Sequence, residues 1–322
     1  MKIPNKVVHF DEELAERYRH ESNNKFKELD YSQNHVMFLF NKARSNKQLQ
    51  INFKNCIVSL LSKMSKPLTF HIAGDTESLH IADTIFQSST DNDRRKFQVT
   101  YHDKTQVLTS VLQTVANIHA QLSSKVHHFS DPVFYISLVI HKILPANITR
   151  LIILDVDLIF MSDLAALFTL FNNFTADQAI GIARENQPVY KNVFWDYRKK
   201  NPGTRVGEPP PDGLTGFNSG VVLFDLVKLR NSSLYNSFLT GDNLLTLVRK
   251  YEFKGHLGDQ DFFTLLSFEY GSLFYILPCG WNRQLCMWWR RDEFVSVFNR
   301  YYSCSGPVHI WHSNCNTSMI VR

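Results

Sequence analysis

Residues Leu151–Phe160 read LIILDVDLIF. Four consecutive apolar residues carry the chain through a core, and the next three positions deliver two carboxylates, Asp155 and Asp157. Burying those charges without a partner is costly, so the end of this strand must lie near a sheet edge where something positive meets it. Ligands of open α/β sheets bind beyond the carboxyl ends of strands. A hard divalent cation bridged to phosphate oxygens answers both facts. A structural ion pair is the alternative. The pattern Asp-x-Asp selects nothing alone, because it recurs at Asp91/Asp93 and Asp259/Asp261. Asp91/Asp93 stands in the polar stretch STDNDRRK and reads as a solvated loop.

The segments before this strand set the architecture. His35–Phe40 (HVMFLF) is a short apolar run and predicts a buried strand. Leu49–Ser62 has helical spacing and stops before Pro67. Leu68–Ile72 predicts a second strand, Leu79–Thr90 a helix and Phe97–Tyr101 a third strand. Strand, helix, strand, helix, strand implies parallel pairing with crossovers. Asp131–Leu144 reads as a helix, Leu151–Phe160 as one strand, and Ala179–Ala183 and Phe217–Leu226 as further strands. Asn201–Gly216, rich in Pro and Gly, reads as one long loop, either a floppy surface insertion or a flap. Leu234–Tyr251 reads as helical, and His256–Glu269 starts another helix. Residues 1–30 read as an N-terminal helix or stem end, and 31–322 as a single α/β domain.

Composition narrows the function. With 44% hydrophobic residues the chain has ample material for a core, which excludes disorder as its main state. A formal charge of +5 without a basic block gives no nucleic-acid footprint. The longest apolar stretch, Leu151–Phe160, is far short of a membrane span. Residues 1–20 lack the apolar core of a signal peptide. Four of five Cys (Cys279, Cys286, Cys304, Cys315) fall near the C-terminus, and Cys56 stands alone. These read either as scattered buried thiols or as disulfides tying down that segment, which would imply a secretory compartment; no close CxxC pair favours zinc. Sequons at Asn147, Asn173, Asn231 and Asn316 are compatible with that and no more.

The motifs LPANITRLIILDVDLIFMSDL, GFNSGVVLFDL and HLGDQDFF, then a late His-containing strand, follow one another in order. This order resembles glycosyltransferase family 8, retaining enzymes of the GT-A fold, over about His35 to His312. A phosphotransferase of the haloacid dehalogenase type fits poorly. Its Asp-x-Asp lies near the domain start and is followed by Thr or Val where this chain has Ile159.

The resemblance implies a Rossmann-like sheet flanked by helices, a nucleotide-sugar donor and Mn²⁺. It implies Asp155, Asp157 and a late His as metal ligands, with His312 preferred over His309. Asp155 would also meet the diphosphate. Phe40 and Asn41 match the family's nucleotide-recognition position, with Asp75 either helping there or capping a turn. Asn218, Ser219 and Gly220 match the motif lying against the donor sugar. Gln260 matches the position beneath the sugar, and Asp259 would bind donor hydroxyls or cap its helix. Family members that transfer xylose from UDP-xylose to xylose-glucose O-glycans on EGF-like repeats, such as those of Notch, in the endoplasmic reticulum lumen fit best. UDP-glucose, UDP-galactose and a catalytically silent glycan- or EGF-binding protein are the alternatives. Trp195, Trp281 and Trp288 are candidate acceptor contacts, and a membrane anchor is expected outside these 322 residues. Two departures stand out: Ser137 replaces the family's Arg in YISLVIHKILP, and the late Lys is missing after His312.

Overall fold

The computed structural model describes residues 34–89, 97–122, 131–255, 257–285, 304 and 306–312. The N-terminal helix expected over 1–30 lies outside them, as do Trp288, Cys286 and Cys315. The strands are β1 (His35–Leu39), β2 (Leu68–Gly74), β3 (Phe97–Asp103), β4 (Arg150–Leu154), β5 (Leu158–Phe160), β6 (Ile180–Arg184), β7 (Phe217–Asp225), β8 (Phe274–Ile276), β9 (Arg283–Gln284) and β10 (Ile310–His312). Seven of them form one sheet in the order β3-β2-β1-β4-β7-β6-β8. β3, β2, β1 and β4 run parallel, as the alternation of strand and helix predicts. β7 is antiparallel to both β4 and β6.

Helices cover both faces, so the central strands are apolar on both sides, as parallel sheets require. All seven residues of β2 are buried. Successive β1 side chains divide between two cores: Met37 packs with one, Val36 and Phe38 with the other. The Lys47–Lys63 helix covers the second core. Asn46 accepts a hydrogen bond from the Leu49 N–H (3.0 Å) at its start, and Phe53, Cys56, Ile57 and Leu60 form its buried stripe. On the opposite face lie the Leu112–Leu122, Ile136–Ile143 and Asp259–Glu269 helices, whose apolar residues join the first core.

Three expectations are corrected. Leu151–Phe160 is two strands, not one. β4 ends at Leu154, the chain turns at Asp155–Asp157, and β5 enters a second, three-stranded sheet in the order β5-β10-β9. The turn forms because two carboxylates cannot continue a buried ladder, and the Asp155 N–H instead meets the Gly220 carbonyl at 2.9 Å. Leu234–Tyr251 breaks into helices Ser233–Leu239 and Asn243–Lys250, because Gly241 at φ 76 turns the chain between them. Asn201–Gly216 is a tied-down loop rather than a floppy one. Val206 bridges Leu214, the Gly207 N–H meets the Leu214 carbonyl, and Arg184 of β6 donates to the Gly213 carbonyl at 3.0 Å.

Candidate active site

The two carboxylates and one imidazole meet at the carboxyl end of β4. β10 pairs antiparallel with β5 and parallel with β9. That placement brings His312 Nε2 to 3.3 Å from Asp155 Oδ2 and 3.3 Å from Asp157 Oδ1. One ligand atom from each residue lies within 4.8 Å of the others. Asp157 is buried, whereas the Asp155 side chain is half exposed. Carboxylate oxygens with one imidazole nitrogen are a donor set that suits a divalent cation such as Mn²⁺.

Two neighbours shape the imidazole's seat. A Cβ at Gly220 would lie 2.6 Å from His312 Cε1, so only glycine leaves room for the ring. His312 Nδ1 lies 3.1 Å from Asn282 Oδ1, which can only accept there. Nε2 is therefore the nitrogen turned to the carboxylates. Burial pushes the imidazole down, but Asp157 and Asp155 more than reverse this and hold it well above its ordinary value. His309 is used otherwise: its Nδ1 is 3.0 Å from Ser162 Oγ, and its ring stacks on Trp281 at 4.2 Å. The geometry brings His312, not His309, to the aspartates.

A second cluster lies where β7 meets the Asp259–Glu269 helix. Gly258, at φ 69, precedes that helix, and Asp259 is its first residue. Asp259 is not the N-cap; its Oδ1 accepts from Ser219 Oγ at 3.0 Å and its Oδ2 from the Ser137 hydroxyl. Ser137 thus binds Asp259 through a neutral hydroxyl where the family pattern has a guanidinium. Burial lifts Asp259 to about 7 against those two hydrogen bonds. Gln260 accepts from the Ser219 N–H at 3.2 Å, and its Nε2 reaches Glu185 Oε2 at 3.4 Å. Asp261 holds the turn: it accepts from Tyr190 OH (3.0 Å) and the Leu257 N–H (2.6 Å).

Asn218 ties the clusters together. Its Oδ1 accepts from the Gly220 N–H (3.0 Å) and Asn282 Nδ2 (2.8 Å), and its Nδ2 donates to Glu185 Oε2 at 3.1 Å. Glu185 and Asn282 are absent from the sequence reading. Glu185 directly follows β6, so it carried the signal that picked out Asp155, a carboxylate at a strand's carboxyl end. Asn282 sits in a short 3₁₀ turn and carried no signal. Burial lifts Glu185 to about 7, against hydrogen bonds from Asn218 and the Gln187 N–H.

The expected nucleotide end is arranged differently. The Phe40 side chain is fully buried and stacks on Phe53 at 4.4 Å, so only its backbone is left to meet a base. Asn41 donates to Asp131 Oδ2 and accepts from the Asp75 N–H, both at 3.1 Å, which spends its amide on the loop itself. Asp75 caps the Thr76–Ser88 helix. Trp281 is buried beneath His309 and offers no face to an acceptor. Trp195 is 63% exposed on the Trp195–Lys200 helix, outside the hydrogen-bonded cluster. Cys279 and Cys304 form a disulfide, which ties the segment entering β10 to the turn before β9, while Cys56 is free and buried.

Comparisons with known proteins fit this geometry. The model of the family described as Glycosyl transferase family 8 matches residues 35–295. Xyloside xylosyltransferase 1 of Mus musculus is 40% identical over 295 residues, 90% of this chain and 74% of that protein. Xylosyl- and glucuronyltransferase LARGE1 of Homo sapiens is 29% identical over 233 residues, 71% of this chain and 27% of its own length. The apo crystal structure of mouse xyloside xylosyltransferase 1 superposes with a TM-score of 0.83 at 40% identity, covering 88% of this chain and 99% of that one. The galactosyltransferase LgtC, solved with donor and acceptor sugar analogs, shares the fold at a TM-score of 0.52 and 14% identity, with 88% of each chain covered. The mixed sheet flanked by helices is the GT-A fold of these structures. Since the family match also spans the Asp155–Asp157 turn, the second cluster and most of the chain between them, this chain belongs to glycosyl transferase family 8.

Proposed function

We propose that this chain is a retaining xylosyltransferase. It moves xylose from UDP-xylose in α-1,3 linkage onto a xylose-glucose O-glycan of EGF-like repeats, and it works in the endoplasmic reticulum lumen. The observation that carries this reading is 40% identity across 90% of the chain to a xyloside xylosyltransferase. The more distant relative is also named for xylosyl transfer. The Cys279–Cys304 disulfide supports an oxidising compartment. We take residues 31–322 as one catalytic domain.

Asp155, Asp157 and His312 would hold Mn²⁺, which when bound supplies the positive charge that lets a diphosphate leave. The protein's own residues do the rest. Asp259, fixed by two serine hydroxyls, keeps acceptor capacity for donor hydroxyls. The Gln260 carbonyl, oriented by the Ser219 N–H, stabilises positive charge at the anomeric carbon as the sugar–phosphate bond breaks. A double displacement needs a carboxylate beneath the ring. Glu185 is a poor candidate, because Gln187, Asn218 and Gln260 already occupy its oxygens. We therefore favour attack on the face that UDP leaves, with a β-phosphate oxygen taking the acceptor's proton. The reading is tested by UDP release from a panel of UDP-xylose, UDP-glucose, UDP-galactose and UDP-glucuronate with a xylose-glucose peptide acceptor. UDP-xylose should be preferred and should yield an α-1,3 product; preference for a hexose donor overturns the assignment of the sugar.

A further inference from the structure

The side-chain hydrogen bonds joining the two clusters converge on Glu185. The Nδ1–H of His312 donates to Asn282 Oδ1, and Asn282 Nδ2 donates to Asn218 Oδ1. Asn218 Nδ2 donates to Glu185 Oε2, and Gln260 Nε2 donates to that same oxygen from the other side. Two backbone groups fix the amides independently. The Gly220 N–H holds the Asn218 carbonyl oxygen, and the Ser219 N–H holds the Gln260 carbonyl oxygen. Both amide NH₂ groups must therefore face position 185, and only an acceptor can stand there. Glu185 is 2% exposed, and its other oxygen accepts from the Gln187 N–H at 3.0 Å. A carboxylate is the one side chain of this size that can accept on both sides at once.

We propose that Glu185 is a positioning residue that fixes the amides of Asn218 and Gln260 and, through Asn282, the ring nitrogen that His312 offers to a divalent cation. The inference rests on the proposed reaction for the role of Gln260, but its structural content concerns orientation alone. A glutamine at 185 has no good arrangement. With its carbonyl toward Asn218 and Gln260, its NH₂ meets the Gln187 N–H; flipped, it meets two NH₂ groups. Leaving buried donors unmatched in this way disturbs the whole chain of bonds rather than one contact.

The test compares wild type with Glu185→Gln by three measurements: thermal unfolding, Mn²⁺ affinity by electron paramagnetic resonance without donor, and steady-state kinetics. Glu185→Gln should lose about tenfold in Mn²⁺ affinity and about 10²-fold in kcat, with the donor KM changing far less than kcat. A variant that is only less stable, with wild-type Mn²⁺ affinity and kcat in its folded fraction, overturns the proposal. Asn282→Ala cuts the path to His312 and leaves Glu185 against Gln260. It should weaken Mn²⁺ binding. This variant decides the metal arm should Glu185→Gln not fold, and unchanged affinity in it overturns that arm. A wild type that binds Mn²⁺ but releases UDP from no nucleotide sugar overturns the functional reading, and the affinity comparison still decides on Glu185. A wild type that binds no divalent cation overturns both.

Discussion

Asp259 carries a carboxylate whose two oxygens are held by serine hydroxyls. Removing one of them, by Ser137→Ala, takes away a stabiliser of the charged form. The acid limb of the pH–rate profile should then move up by about one pH unit, while Ser137→Thr keeps the wild-type limb. An unmoved limb in Ser137→Ala would show that Asp259 does not set it. Gln260→Ala removes a group that acts mainly as charge develops. It should lower the rate by about 10²–10³-fold, leave donor affinity little changed and retain stereochemistry. Complete loss of transfer, or a sugar adduct on Gln260 by intact mass, would contradict that role. The sequence motifs single out Asp155, Asp157, Asn218, Asp259 and Gln260, each of which stands at or beside a strand or helix end in the structure. They do not identify Asn282, whose role comes from a fold-back across 30 residues to His312. They also leave unread that the Phe40 and Trp281 rings are buried, since burial of an aromatic ring is set by tertiary packing, and the residue type is equally at home in a core or a site.

At the level of elements, the parallel order β1, β2, β3 and β4 follows from apolar runs alternating with helical stripes. The helices at Lys104–Thr109 and Leu112–Leu122 were missed in the sequence reading, although Val107, Val111, Val115, Ile118 and Leu122 form a buried stripe at helical spacing. The division of Leu151–Phe160 was not legible, because apolar residues on both sides of DVD read as one strand until β10 arrives to claim β5. β10 is three residues long and carries the ring that approaches both aspartates. Its position is held by pairing with β5 and β9 and by the Cys279–Cys304 bridge, which closes a loop over a sequence separation of 25. Loss of that bridge by Cys304→Ser should cost about 3 kcal/mol of stability and weaken Mn²⁺ binding with it. A calorimetric melting temperature equal to wild type would remove the bridge from the account.

Across the molecule, two carboxyls of the site, Asp259 and Glu185, are raised by burial to about 7. A carboxyl whose folded value lies above its unfolded one contributes stability below the unfolded value and loses it as pH rises through the folded value. For Asp259 that window runs from about 4 to about 7. Asp259→Asn, which cannot ionise, should therefore gain in melting temperature relative to wild type as pH rises from about 4 to about 7, and no further above that. A difference that stays flat with pH would contradict the burial of that charge. The same packing concentrates negative charge at the cleft, with Asp155 and Asp157 meeting His312 a short chain of hydrogen bonds from Glu185. We propose that this charge holds a cation. The most direct measurement is a Mn²⁺ titration of metal-stripped wild type, His312→Ala and His309→Ala, followed by UDP release from UDP-xylose. No release is expected in EDTA, with recovery in wild type and His309→Ala at similar Mn²⁺ concentrations, and in His312→Ala only at much higher ones. Full activity in EDTA, or a greater Mn²⁺ requirement in His309→Ala than in His312→Ala, would contradict that proposal.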